Sequence, residues 1–496
     1  MKSMIIIGAG VSGLSAGCYA AMNGFDVKIL EMHSQPGGVC ASWRRREYMF
    51  DHCLHWVIGS NKGNSMYPLF EELGVMGRVE FYHTDRFRRI KCSGKDITVY
   101  TDIRKLEEEL VRNFPHESAE LKKMMKQVRF FTRFRPPMDA DFGSFGIFDV
   151  IKMLPFMPLF MRLRKMTVEQ YIDRFSDPVL RDVLFRMFPV KGMPALMIIM
   201  PLAFFHNREG GYPLGGSLNF AKSIEERFLK LGGSIEYRSR VKRVIVQEGK
   251  ATGVETQDGS LHSADIVVSA CDARTTLYEM LEGKYTSKPW GDMFECPEPL
   301  WPPIVCVSLG VNRDLSGEVE LQAFKPDAPV KVCGQSVDWI YYTHYCQDPA
   351  FAPKGKSVVE MQFDTDYGYW KELRADWAAY QKEKRDVFEK LVAALESELR
   401  GITQQIEAAD VATPVTWERY TGNWMGSYQG WLPTVKLFGT FLPKTLPGLK
   451  KFYITGQWTF PGGGVPMCMS QARRLIKQVC ADEGRAFSVT PADGKA

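Results

Sequence analysis

Gly8, Gly10 and Gly13 stand in the order G-x-G-x-x-G directly after the apolar run Met4-Ile5-Ile6-Ile7. That spacing does binding chemistry. The first glycine permits a tight turn, the second lets backbone approach a pyrophosphate, and the third lets a helix pack close to its strand. A helix beginning there turns free N–H groups and a partial positive charge toward phosphate oxygens, so Val11 and Ser12 at its start join the site. Glu31 lies 23 positions after Gly8, at the end of the strand-like run Asp26 to Leu30. An acid at this spacing accepts hydrogen bonds from an adenosine ribose. Met32 follows it, then Gln35-Pro36-Gly37-Gly38-Val39 and Trp43. A glycine pair here lets the chain pass under a cofactor longer than NAD, which favours FAD.

Groups able to move a proton are few. His52, His55, His206 and His344 are the candidates. His55 lies nearest the glycine-rich region, and a neutral imidazole there could shuttle a proton. The alternative, a histidine that hydrogen-bonds the cofactor or packs in the core, is the favoured one. His52, Cys53 and His55 are not accompanied by a second ligand cluster, so no metal site is expected. Arg86, Arg88, Arg89 and Lys91 are expected to be solvated.

These residues need a scaffold. The chain has 496 residues, 45% hydrophobic and 24% charged, with a net charge of +5. Composition is globular, and no basic motif points to nucleic acid. The 11 cysteines include no C-x-x-C pair, which favours free thiols over a disulfide or zinc framework. The start of the chain carries too short an apolar run for a signal peptide, and no stretch reaches the roughly 20 apolar residues of a membrane span. A cytoplasmic protein is expected. The segment Met153 to Met161 is wholly apolar between Lys152 and Arg162. It has two open readings: a wedge dipping into the cytoplasmic membrane face, or a buried loop beside the substrate.

Strand–helix alternation occurs at the start, middle and end of the chain, with helical, aromatic segments between. The expected fold is α/β with α+β character. A Rossmann-type FAD-binding domain is assembled from discontinuous segments 1–95, 205–290 and 445–484. A substrate-binding domain with a helical, apolar insert comes from 96–204 and 291–444, and 485–496 form a flexible tail. Phe130, Phe131, Phe134, Phe156, Phe160, Met187, Phe188, Phe204 and Phe205 line either ordinary core or a tunnel for a lipid-like substrate.

The strand–GxGxxG–helix–strand–Glu run with its Gly-Gly loop resembles the flavin amine oxidase superfamily. Leu449 to Pro466, containing Gly456-Gln457 and Pro461-Gly462-Gly463-Gly464-Val465-Pro466, resembles the phytoene desaturase and retinol saturase group. Tyr212-Pro-Leu-Gly-Gly216, Gly232-Gly233 and Ala264 to Ser269 fit the same group. The resemblance implies that Gly456 and Gln457 pass the diphosphate or ribityl arm. Gly463, Gly464, Val465 and Pro466 then meet the flavin, the helix N-terminus facing its N1–C2=O edge. It also implies that Val241 holds the adenine through its backbone. Two positions depart from the group. Its Phe-Asp-x-Gly is Phe50-Asp51-His52-Cys53 here, and its Gly-Gly-Arg is Gly37-Gly38-Val39.

By resemblance, the expected activity is FAD-dependent desaturation or saturation of carbon–carbon bonds in an apolar polyene or isoprenoid. The alternatives are a flavin amine oxidase, a redox-neutral FAD-dependent isomerase, and a lipid-binding escort without chemistry. Only one dinucleotide fingerprint is present, so the electron donor or acceptor is left open.

Overall fold

The computed structural model describes residues 1–136, 151–295 and 300–490. Its first sheet has five parallel strands in the order Ser234–Glu236, Asp26–Leu30, Ser3–Ile7, Ile266–Ser269, Phe452–Ile454. Strands from the start, middle and end of the chain thus lie side by side. The run Met4 to Ile7 is apolar at every position because both faces of a parallel sheet are covered. Met4 and Ile6 pack into a core shared with the helices Val11–Met22, Gly216–Lys230 and Val465–Asp482. Ile5 and Ile7 point the other way, against the antiparallel strands Val241–Gln247 and Lys250–Thr256 and the ring of Trp431.

The second sheet has seven strands: Ile406–Ala412, Ile304–Val311, Ser357–Asp364, Ile340–His344, Leu321–Phe324, Arg86–Cys92 and Lys95–Tyr100, in that order. One of its faces carries Val305, Val307, Leu309, Val359, Met361 and Phe363, packed on Val387, Leu391 and Leu395 of the helix Trp377–Glu398. That helix starts cleanly because the Asp376 carboxylate accepts from the N–H groups of Ala378 and Ala379. The opposite face carries Cys306, Ser308, Val358, Glu360 and Gln362.

A helical layer closes the remaining side. It includes Ile103–Asn113, Ser118–Phe131, Pro178–Met187 and Leu196–His206, joined in one apolar core. Phe131, Phe134 and Phe205 are buried within it. Phe130 and Leu154 are partly in solvent, 36% and 57% exposed. No helix among the described residues is long and apolar enough to cross a membrane. The ten cysteines in the described residues are free. Residues 485–490 are docked: Arg485 Nη1 donates to Asn23 O at 3.1 Å, and Phe487 and Val489 join the core beneath the first helix. The last six residues of the expected tail lie outside the described residues.

Candidate active site

Gly8 sits at φ +98°, in the left-handed region that side chains avoid, and turns the first strand into its helix. A Cβ on Gly13 would lie 1.9 Å from the Gly8 carbonyl oxygen, so only glycine lets the helix come this close. Gly10 precedes the helix and has no side chain to cap it. The first intrahelical bond is Leu14 N–H to Gly10 O at 2.9 Å, which leaves earlier N–H groups for a ligand. The Gly37 N–H donates to Ala9 O at 2.9 Å, stitching the Pro36–Gly38 loop to this turn. Glu31 is buried, with Oε2 accepting from Ala9 N–H at 2.6 Å and Oε1 from His33 N–H at 2.8 Å. Burial raises its pKa, and the two N–H groups pull it back toward the ionised form.

At the other end of the sheet, Gly456 follows the last strand at φ +115°. Gly462, Gly463 and Gly464 form three successive positive-φ residues, at +107°, +50° and +86°. A Cβ on Gly463 would strike the Gln429 carbonyl oxygen at 2.7 Å, whereas Gly464 has nothing within 4 Å of that position. The helix Val465–Asp482 begins there, with Pro466 in its first turn and no side-chain cap. Pro466 has no N–H to lose in that turn.

One cavity of about 1370 Å³ connects these features. Gly8, Gly10, Val11, Ser12, Glu31, Met32, Gly37, Gly38, Val39, Trp43, Val241, Gly456, Gln457, Gly463, Gly464, Val465 and Pro466 all line it, and so does His55. Gly13 lies behind the wall, where it packs helix on strand. A long cavity with a phosphate-type turn near one end, a buried ribose-type acid and an uncapped helix near the flat glycine turn fits FAD.

The sequence profile of the family described as flavin containing amine oxidoreductase matches residues 11–479. The chain belongs to that family. FAD is its cofactor, and it is an FAD-dependent oxidoreductase. Among curated proteins it is similar to the chloroplastic prolycopene isomerase of Arabidopsis thaliana, 24% identical over 97% of this chain and 83% of that protein. It is also similar to the 4,4'-diapophytoene desaturase (4,4'-diapolycopene-forming) of Methylomonas sp, 25% identical over 96% of this chain and 95% of that one. Among solved structures, an oxidoreductase from Methanosarcina mazei shares the fold, with a TM-score of 0.63 at 14% identity over 96% of this chain and all of that one.

In this flavoprotein the cavity's proton-bearing wall comes from the second sheet. Ser308 and Glu360 face each other on neighbouring strands. His52 bridges them, with Nε2 2.7 Å from Ser308 Oγ and Nδ1 3.5 Å from Glu360 Oε2. Glu360 Oε1 accepts from Asp51 N–H at 2.7 Å, and Tyr345 O–H lies 2.9 Å from Oε2. His52 and Glu360 stand at ion-pair distance, yet burial acts on both against charge. It lowers His52 to about 3 and pushes Glu360 well above the usual carboxylate range. Burial thus favours the neutral form of each, base and acid. Asp51 is held by Ser42 Oγ at 2.8 Å and Ser217 Oγ at 2.6 Å, and burial raises it as well.

His55 Nδ1 is 3.4 Å from Tyr345 O–H, and the two rings stack at 6.5 Å. Burial lowers His55 to about 4, helped by the positive charge of Arg88. His206 Nδ1 accepts from Ile103 N–H at 3.3 Å at a helix end, and His344 is buried; neither lines the cavity. Among the described residues no cluster of His, Cys, Asp or Glu could hold a metal.

Three findings go beyond the sequence reading. Glu360 and Tyr345 were not singled out. The signal for Glu360 lies in Val358-Val359-Glu360-Met361-Gln362-Phe363, where polar residues alternate with apolar ones in a strand buried on both faces. The expectation that Arg88 is solvated is corrected: it lines the cavity, while Arg89 pairs with Asp96 and Glu318, and Lys91 with Glu398. A β-bulge lies between Arg86 and Arg88. It brings Phe87 into the core of Ile90, three residues on, while Arg88 shares the face of Ile90 by ordinary alternation.

Proposed function

We propose that this flavoprotein desaturates or saturates carbon–carbon bonds of an apolar polyene or isoprenoid, with the cavity residues named above as its FAD contacts. The observation that carries this reading is the cavity. Beyond the glycine turns it continues past Trp56, Met197, Met200, Phe204, Leu321 and Tyr341. These side chains suit a long apolar chain. The desaturase and isomerase relatives support the reading by their names.

Bound FAD supplies the two-electron chemistry, taking up or returning a hydride. The chain's own residues have three tasks. The glycine turns bring backbone to the cofactor and let the substrate approach it. The aromatic wall excludes water, which keeps ionised side chains unfavourable near the reacting bond. His55 handles the proton: Nδ1–H donates to the Tyr345 hydroxyl oxygen, whose own proton goes to Asp51 O or Glu360 Oε2, and among the described residues Nε2 has no hydrogen-bond partner. A neutral imidazole can accept a proton at Nε2, with Tyr345 and Glu360 holding it in orientation.

The substrate's source is proposed to be a lipid surface. Ile151 and Leu154 are 54% and 57% exposed beside Lys152. Apolar side chains flanked by cations suit shallow contact with anionic lipid. Flotation with vesicles containing anionic lipid tests this contact; protein that stays at the bottom of the gradient refutes it.

The activity test is anaerobic mixing of the purified yellow protein with acyclic polyenes in liposomes. Loss of flavin absorbance together with a red shift of the polyene spectrum is the expected result. Peroxide release with amines, and no response to polyenes, would instead establish amine oxidation. Polyene isomerisation that requires prior flavin reduction and leaves no net oxidation would replace the reading with an isomerase.

A further inference from the structure

Two cations stand in the apolar part of the cavity without counter-charges. Arg88 comes from the bulged strand Arg86–Cys92, and Arg186 from the end of the helix Pro178–Met187; both line the cavity. Arg88 Nη1 donates to the Arg186 backbone oxygen at 2.8 Å, and Arg186 Nη1 donates to Tyr341 O–H at 3.0 Å. Nε of each guanidinium is buried with no hydrogen-bond partner. The other neighbours are rings. Arg88 lies 5.5 Å from the centre of Phe87 and 5.7 Å from Tyr341, and Arg186 lies 4.7 Å from Trp339 and 5.0 Å from Phe185.

Ring faces attract a cation but leave its charge uncancelled. Among the described residues neither guanidinium forms an ion pair. Asp364 also lines this part of the cavity, but burial alone sets its state, raising it to about 6 with no cation drawing it down. Burial likewise lowers Arg88, to about 10. A desolvated charge without a partner is costly, and two converging on one cavity wall is an arrangement that an arriving anion relieves. Guanidinium forks match the planar oxygens of a carboxylate and the tetrahedral oxygens of a phosphate, usually through two parallel N–H bonds.

We propose that Arg88 and Arg186 form a receptor for a terminal oxyanion, a carboxylate or a phosphate ester, carried at the end of the apolar chain that the cavity holds. This deepens the proposed function and rests on its apolar-chain substrate. It narrows the substrate class from a plain hydrocarbon to an amphiphile with one anionic end. The anchored end fixes how far the chain reaches into the cavity, so it would select which carbon–carbon bond meets the reacting centre.

The test is an equilibrium titration of the FAD-loaded protein with geranylgeranoic acid, geranylgeranyl phosphate and geranylgeraniol. The three share one chain and differ in the end group, and none absorbs where the flavin is read. The acid or the phosphate should bind at least about 30-fold more tightly than the alcohol, as expected when a buried charge gains its partner. The tighter of the two identifies the oxyanion. Arg88→Gln and Arg186→Gln should each erase most of that preference while changing the alcohol's affinity less than about threefold. Flavin content reports whether each variant folds; should Arg88→Gln lose flavin, Arg186→Gln, on a separate element, carries the test. Equal binding of alcohol and acid, or a preference that survives both substitutions, overturns the receptor and leaves the apolar-chain reading standing. Failure of all three probes to bind removes both.

Discussion

Glu360 offers the sharpest test of the buried wall, because its neutral state has a measurable signature in stability. Burial favours the protonated form of this carboxyl in the folded protein, so folding takes up a proton wherever an unfolded glutamate has already lost one. The folded pKa is raised. Stability from this group is therefore complete below the unfolded value of about 4.3 and declines as pH rises above it. The decline is at most about 1.4 kcal/mol per pH unit, for as long as the folded carboxyl stays protonated. Glu360→Gln removes the titration while keeping the shape. The amide oxygen still accepts from Asp51 N–H, the amide N–H replaces the acid proton facing His52, and Tyr345 O–H keeps its 2.9 Å bond to Asp51 O. Any constant effect of the substitution cancels between two pH values. Urea unfolding of both proteins at about pH 5 and about pH 7 should show the variant gaining on wild type as pH rises, by up to about 1.4 kcal/mol per pH unit. An infrared band of a protonated carboxyl should also vanish in the variant. A difference that stays flat with pH, or a loss of more than about 3 kcal/mol at neutral pH as for a broken buried ion pair, refutes the neutral-pair assignment.

His52 should act with the opposite sign. Its lowered folded pKa, about 3, means stability that is complete above about 6.5 and is lost as pH falls toward about 3, worth about 5 kcal/mol in total; acid unfolding of His52→Gln should lack that component. Gly13→Ala places a methyl 1.9 Å from the Gly8 carbonyl oxygen, which is backbone and cannot turn aside. The expected result is a loss of at least about 2 kcal/mol and of most bound FAD, read by thermal unfolding and the flavin-to-protein absorbance ratio; full occupancy at an unchanged Tm would contradict it. His55→Gln should keep its flavin and lower kcat by about 100-fold or more, with less effect on substrate affinity. An unchanged kcat would show that His55 is a packing residue.

The cofactor cradle was legible because its demands are local. Gly8, Gly37, Gly456 and Gly464 each need a positive φ or an absent side chain, and such positions leave a trace at fixed spacing. The flanking strands were legible for the same reason, since Met4 to Ile7 and Ile266 to Ser269 are short, apolar and bounded by turns. The opposite wall was not. Glu360 meets Asp51 across 309 positions of sequence, and no local pattern announces such a contact. The inward face of the run Arg86 to Lys91 was obscured by a bulge, which depends on how strand Lys95–Tyr100 pairs with its neighbour and not on the composition of the run itself. Val241 lines the cavity, but only the resemblance, and not its own neighbours, gave it a role with the adenine.

The order of strands in the first sheet sets a schedule for the newborn chain. Ser3–Ile7 is made first, yet it lies at the centre, between Asp26–Leu30 and Ile266–Ser269, with Phe452–Ile454 added beyond. At about 5 to 20 residues per second, the ribosome needs roughly 20 to 90 seconds to pass from Ser3–Ile7 to the last of these strands. Throughout that time an apolar segment has a free edge, a natural target for chaperones and a hazard for aggregation. The final glycine turn and its helix emerge later still. FAD can therefore lock into place only after that turn has been made, and chains truncated before it should accumulate without colour.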